Sequence, residues 1–77
     1  MSHHELDAGG LLCPMPVIRT QERVDTLDVG DTLSVRCTDH GAIHDIPTWC
    51  RVHGHEVLEV RQADDEIFIL VRVRGRP

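Results

Sequence analysis

The chain contains no lysine and no tyrosine, and its aromatic residues are Trp49 and Phe68 alone. Two rings are too few for a platform on which nucleic-acid bases stack. Thirteen carboxylates against eight arginines leave a formal charge of −5, so a phosphate backbone is not attracted overall and no direct nucleic-acid partner is expected. Long apolar runs are missing too. The longest, Ile67 to Val71, falls far short of the ~20 residues of a membrane span, and no membrane partner is expected. The opening MSHHELD lacks the basic-then-apolar pattern of a secretory signal. Three cysteines, Cys13, Cys37 and Cys50, form an odd set without framework spacing, which reads as reduced thiols rather than a disulfide scaffold. The expectation is a cytoplasmic protein.

What is present suffices for one small globular domain spanning residues 1–77, with residues 1–4 expected to fray. Ordering the chain costs roughly 1.5 kcal/mol per residue, so most of the apolar 40% must share one core. Leu6 and Ala8 form a short strand that stops at Gly9-Gly10. From Cys13 the period changes. Val17, Gln21, Val24 and Leu27 follow i, i+4, i+7 spacing with Ile18 widening the stripe, which predicts an amphipathic helix ending near Leu27. Leu33, Val35 and Cys37 alternate with polar residues as a half-buried strand.

Ile43, Ile46, Trp49, Cys50 and Val52 keep helical spacing and predict a second helix around 44–53. Asp39 is a candidate cap for its irregular start, Pro47 is expected in its first turn, and Gly54 is a natural stop. Leu58 and Val60 suggest a third strand, residues 62–65 a hairpin turn, and Glu66 to Arg74 a fourth strand. In that strand Ile67, Ile69, Val71 and Val73 share one face. The order βαβαββ, with right-handed crossovers, puts both helices on one side of a mixed four-stranded sheet. The fold class is an α+β two-layer sandwich.

Cys13-Pro14-Met15-Pro16 opens the first helix and is the informative site. Cys13 is expected at the N-cap, where unpaired N–H groups and the positive end of the helix dipole favour an anion. A thiol there tends to lose its proton more easily. Pro14 at the first helical position presets φ, and Pro16 removes a second donor, leaving the Met15 and Val17 amides nearest. Such a thiolate can accept a sulfur atom and present the persulfide to another protein. Equally, Cys13 can be a small residue ahead of a proline-started helix, in a non-enzymatic interaction or regulatory module.

The runs Leu6-Asp7-Ala8-x-Gly10-Leu11-x-Cys13-Pro14-x-Pro16-Val17, Gly30-Asp31-x-Leu33 and Asp45-Ile46-Pro47-x-x-Cys50 resemble the TusA/SirA family of small sulfur carriers. The likeness runs from about residue 5 to 74. It implies a fold like the C-terminal domain of translation initiation factor 3, and a sulfurtransferase role in which Cys13 carries the persulfide. It also implies a cysteine desulfurase or rhodanese-type donor and a DsrE-type acceptor. The pathways implied are tRNA 2-thiolation, molybdenum-cofactor synthesis or sulfur oxidation. Family members often carry arginine or another polar residue near the positions of Gly9 and Leu12, and a basic pair after CPxPV. Here Arg19 and Arg23 are the nearest equivalents, so positive charge around Cys13 is thin.

The remaining residues have blander readings. Cys37-x-x-His40 and Cys50-x-x-His53 have the look of a zinc site, but both cysteines fall on apolar stripes and are expected to pack as small hydrophobes. No metal and no organic cofactor is expected. His40 and His44 are read as exposed, and the acids Asp25, Asp28 and Asp31 as a solvated loop. Asp45 is a cap, an exposed residue or a partner contact. Arg19 either edges the Cys13 surface or pairs along its helix. Arg72, Arg74 and Arg76 are read as the solvated face of a last strand. A monomer is expected, with Phe68 and Leu70 on the outer sheet face as the candidate contact patch if there is a dimer.

Overall fold

A computed structural model describes residues 1–74, so Arg76 lies outside the described residues. The order is β1 (His3–Ala8), α1 (Met15–Val24), β2 (Thr32–Cys37), α2 (Ala42–Val52), β3 (Glu56–Ala63) and β4 (Glu66–Arg72). The strands lie in the order β1-β2-β4-β3. β1 runs parallel to β2, with Leu6 opposite Val35 and Ala8 opposite Cys37. β4 is antiparallel to both β2 and β3, with Ile69 between Val35 and Val60. β2 and β3 are therefore parallel with β4 inserted between them, and α1 and α2 make the two crossovers that parallel neighbours require. This is the two-layer βαβαββ sandwich that the patterning predicts.

The layers meet over one face of the sheet. Leu33, Val35, Ile67, Ile69 and Val71 are fully buried there beside Ile46 of α2. Each such side chain contributes roughly 1.5–3 kcal/mol over its exposed state. Ile67, Ile69 and Val71 of β4 and Val73 just past it are inside, as the period of two predicts, but the strand ends at Arg72 rather than Arg74. Phe68 and Leu70 face outward, and the Arg61 guanidinium lies over the Phe68 ring at 5.2 Å. Arg72 and Arg74 reach Glu56 at 3.5 and 3.4 Å, an exposed and weakly held set.

Several boundaries differ from expectation, each for a local reason. His3 and His4 are not frayed but paired with Thr32 and Leu33. Asp31, expected in a solvated loop, is 6% exposed. Its carboxylate accepts the Ser2 and Asp28 N–H groups at 2.9 and 3.1 Å and ties the N-terminus to the sheet. Those amides hold the Asp31 carboxyl below its ordinary range. The stabilisation is present above that range and lost as pH falls through the lowered value. α1 ends at Val24, because the Thr26 and Leu27 N–H groups bond back to Arg23 and Val24 at 3.0 Å in a tightened turn. Its buried stripe is Pro16, Thr20 and Val24, turned away from Gln21 and Ile18. α2 starts at Ala42, which moves Pro47 past the first turn into the helix, where it is buried.

Gly54 ends α2 as expected. It takes φ +80°, its N–H donates to Arg51 O at 3.3 Å, and the His55 N–H donates to Cys50 O at 2.8 Å. Those two bonds form a Schellman cap. Gly54→Ala is expected to cost about 1–2 kcal/mol, the left-handed penalty for a Cβ, read as a lower urea midpoint at constant slope.

Candidate functional site

Parallel pairing of β1 and β2 sends both following segments off the same edge of the sheet, and the site is built where they meet. After Ala8 the chain turns through Gly10 at φ +79°. The Gly10 N–H donates to Thr38 Oγ1 at 2.8 Å, which fixes the loop to the end of β2. Leu11 packs against the core, while Leu12 is 73% exposed and Cys13 beside it is exposed. The Cys13–Pro14 peptide is cis.

Cys13 stands one residue further from the helix than expected. Pro14 is the N-cap and Met15 the first helical residue. The nearby amides are also engaged: Met15 N–H donates to Leu12 O at 2.8 Å, and Val17 and Ile18 donate to Pro14 O at 3.1 and 3.2 Å. Pro16 has no N–H and is buried. The helix tip offers the sulfur no open donor.

What meets Cys13 instead is acidic. Its backbone N–H donates to Asp39 Oδ2 at 2.8 Å, and Asp39 Oδ1 accepts the Gly41 N–H at 3.3 Å. The thiol donates to Asp45 Oδ2 at 3.2 Å. The expected ease of deprotonation is therefore overturned. The hydrogen bond to Asp45 pushes the Cys13 thiol above the ordinary cysteine range, helped by desolvation and by the charges of Asp45 and Asp39. A full charge at hydrogen-bond distance outweighs the roughly half charge of a helix N-terminus.

Of the residues singled out from sequence, Cys13, Pro14, Met15, Pro16 and Asp45 converge here. Arg19 does not join them; it pairs with Glu22 at 3.0 Å. Asp39, read as a helix cap, is the site residue that sequence reasoning missed as such. Its signal was its position just past β2, whose end is level with Ala8. Leu12 and Ile18 are exposed apolar side chains, at 73% and 39%.

Cys37 and Cys50 are fully buried in the core, and burial pushes each thiol up to about 11. Among the described residues no three His, Cys, Asp or Glu side chains are grouped to hold a metal, and no helix is long and apolar enough to cross a membrane. Cys13 is the only exposed thiol of the three. Native protein is expected to take up one equivalent of iodoacetamide at Cys13, at a rate climbing steeply as pH rises into the alkaline range. Cys37 and Cys50 should react only in denaturant. Peptide mass spectrometry reads both.

The sulfurtransferase TusA family model matches residues 4–73. The sulfur carrier protein TusA of Pseudomonas syringae pv. syringae is 42% identical over 65 residues, covering 84% of this chain and 76% of that protein. The sulfur carrier protein TusA of Allochromatium vinosum is 31% identical over 68 residues, covering 88% and 90%. The crystal structure of a SirA-like protein from Desulfitobacterium hafniense superposes with a TM-score of 0.82 over 94% of this chain and 99% of its own. Its 22% identity makes that a likeness of fold. With all of the sandwich except His3 inside the matched span, the chain belongs to the TusA family of sulfurtransferases.

Proposed function

We propose that the chain is a persulfide carrier, with Cys13 as the residue that is loaded and unloaded. The observation that carries this reading is that Cys13 is the chain's single exposed thiol, held on a loop stapled to β2 by Gly10 and Asp39. In loading, the Cys13 sulfur attacks the outer sulfur of a donor persulfide. A new S–S bond forms at Cys13, the donor's S–S bond breaks, and the donor thiolate leaves and takes up the proton that Cys13 gave up. Unloading is the same exchange in reverse sense, with an acceptor thiol attacking the outer sulfur and Cys13 regained as a thiol. Sulfur is conserved in both steps, and neither needs an oxidant, a metal or an organic cofactor.

Pro14, Met15 and Pro16 shape the platform, and partners supply the deprotonating environment that this surface lacks. The partners proposed are a cysteine desulfurase or rhodanese-type donor and a DsrE-type acceptor in the cytoplasm, serving tRNA 2-thiolation, molybdenum-cofactor synthesis or sulfur oxidation. Incubation with a cysteine desulfurase and cysteine tests the reading by intact mass. A gain of one sulfur atom, reversed by dithiothreitol, is expected. A mass that never changes would favour the interaction-module reading instead.

A further inference from the structure

The site holds a feature that a carrier does not need for exchange chemistry itself. The sulfur that must become an anion to attack is hydrogen-bonded to an anion, with Cys13 Sγ 3.2 Å from Asp45 Oδ2. A second carboxylate, Asp39, holds the Cys13 N–H at 2.8 Å. The charged groups that act on the thiol are these two. The first turn of α1 contributes no acidic residue and its amides are committed. Arg19, the nearest cation along α1, is paired with Glu22. Among the described residues, the charges that act on the sulfur are both negative.

We propose that Asp45 is a restraining group, which keeps the proton on Cys13 while the carrier is empty and yields when a cationic side chain of a partner protein pairs with it. The inference rests on the carrier reading and specifies the chemistry of the surface that a donor or acceptor must bring. A lysine or arginine set against Asp45 removes the acceptor of the thiol proton and supplies the positive charge a thiolate needs. An approaching small oxidant or neutral electrophile brings neither, so the empty carrier stays quiet between encounters.

Asp45→Asn tests the proposal without any sulfur donor. The asparagine side chain has the same shape but no charge, and its N–H group can donate to a thiolate. Two readouts are taken on the whole chain. One is the pH profile of Cys13 alkylation by iodoacetamide. The other is the ratio of its rates with a cationic and an anionic methanethiosulfonate of similar size. The proposal expects the Asp45→Asn profile to move to lower pH, with alkylation near neutrality several-fold faster. It expects the wild-type preference for the cationic reagent to shrink several-fold, and Asp45→Glu to keep both properties close to wild type. A profile for Asp45→Asn that coincides with wild type or moves to higher pH overturns the proposal, and so does an unchanged reagent preference. A chain that alkylates as expected yet never gains sulfur from a desulfurase would overturn the carrier reading and leave this restraint standing.

Discussion

Replacing Cys13 by serine is expected to abolish sulfur loading while leaving the fold in place. The side chain at position 13 is exposed and donates to Asp45, to which a serine hydroxyl can donate as the thiol does. The loop is held by the backbone N–H groups of Gly10 and Cys13, which the substitution keeps. The melting temperature should therefore stay within about 2 °C of wild type, as for a surface substitution away from packing. Loading should fall to background, because an oxygen cannot take part in thiol–disulfide exchange. Cys37→Ser and Cys50→Ser should load normally if they fold, since neither thiol reaches solvent. Calorimetry and intact mass on the same samples separate a lost nucleophile from a lost fold.

The second large effect is on stability. Ile69→Ala is expected to destabilise the domain by about 2–5 kcal/mol, the usual cost of truncating a fully buried isoleucine. Ile69 is 0% exposed and sits on β4 between Val35 of β2 and Val60 of β3, so a cavity there is walled by strands on both sides and cannot collapse easily. A chain of 77 residues has a total stability of roughly 4–12 kcal/mol. The substitution thus removes a large share of it and lowers the melting temperature by on the order of 10–30 °C. The urea midpoint should fall with the slope unchanged. Outward-facing Phe68 is the control: Phe68→Ala should cost less, because its ring is half-buried under Arg61.

Elements whose physics is local were legible in the sequence. β4 alternates Ile, Phe, Ile, Leu, Val over a period of two, and its inward set is the buried one. Gly54 falls where a left-handed residue must end α2. Cys37 and Cys50 sit on apolar stripes and pack in the core. Where the reading went astray, a distant partner decided the outcome. His3 and His4 looked loose until Asp31, far along the chain, anchored Ser2. The largest error concerned the acidity of Cys13. A helix tip was visible at the CPxP run, but the carboxylates that override it come from positions 26 and 32 residues later. No spacing within the first helix reveals them.

The carrier role of Cys13 depends on where sulfur is held, and peptide mapping after loading measures that directly. Wild-type chain is incubated with a cysteine desulfurase and cysteine, its thiols are blocked under non-reducing conditions, and the digest is searched for the added sulfur. It is expected on the peptide containing Cys13 and on no other. Added sulfur on the Cys37 or Cys50 peptide, with the Cys13 peptide unmodified, would contradict that role.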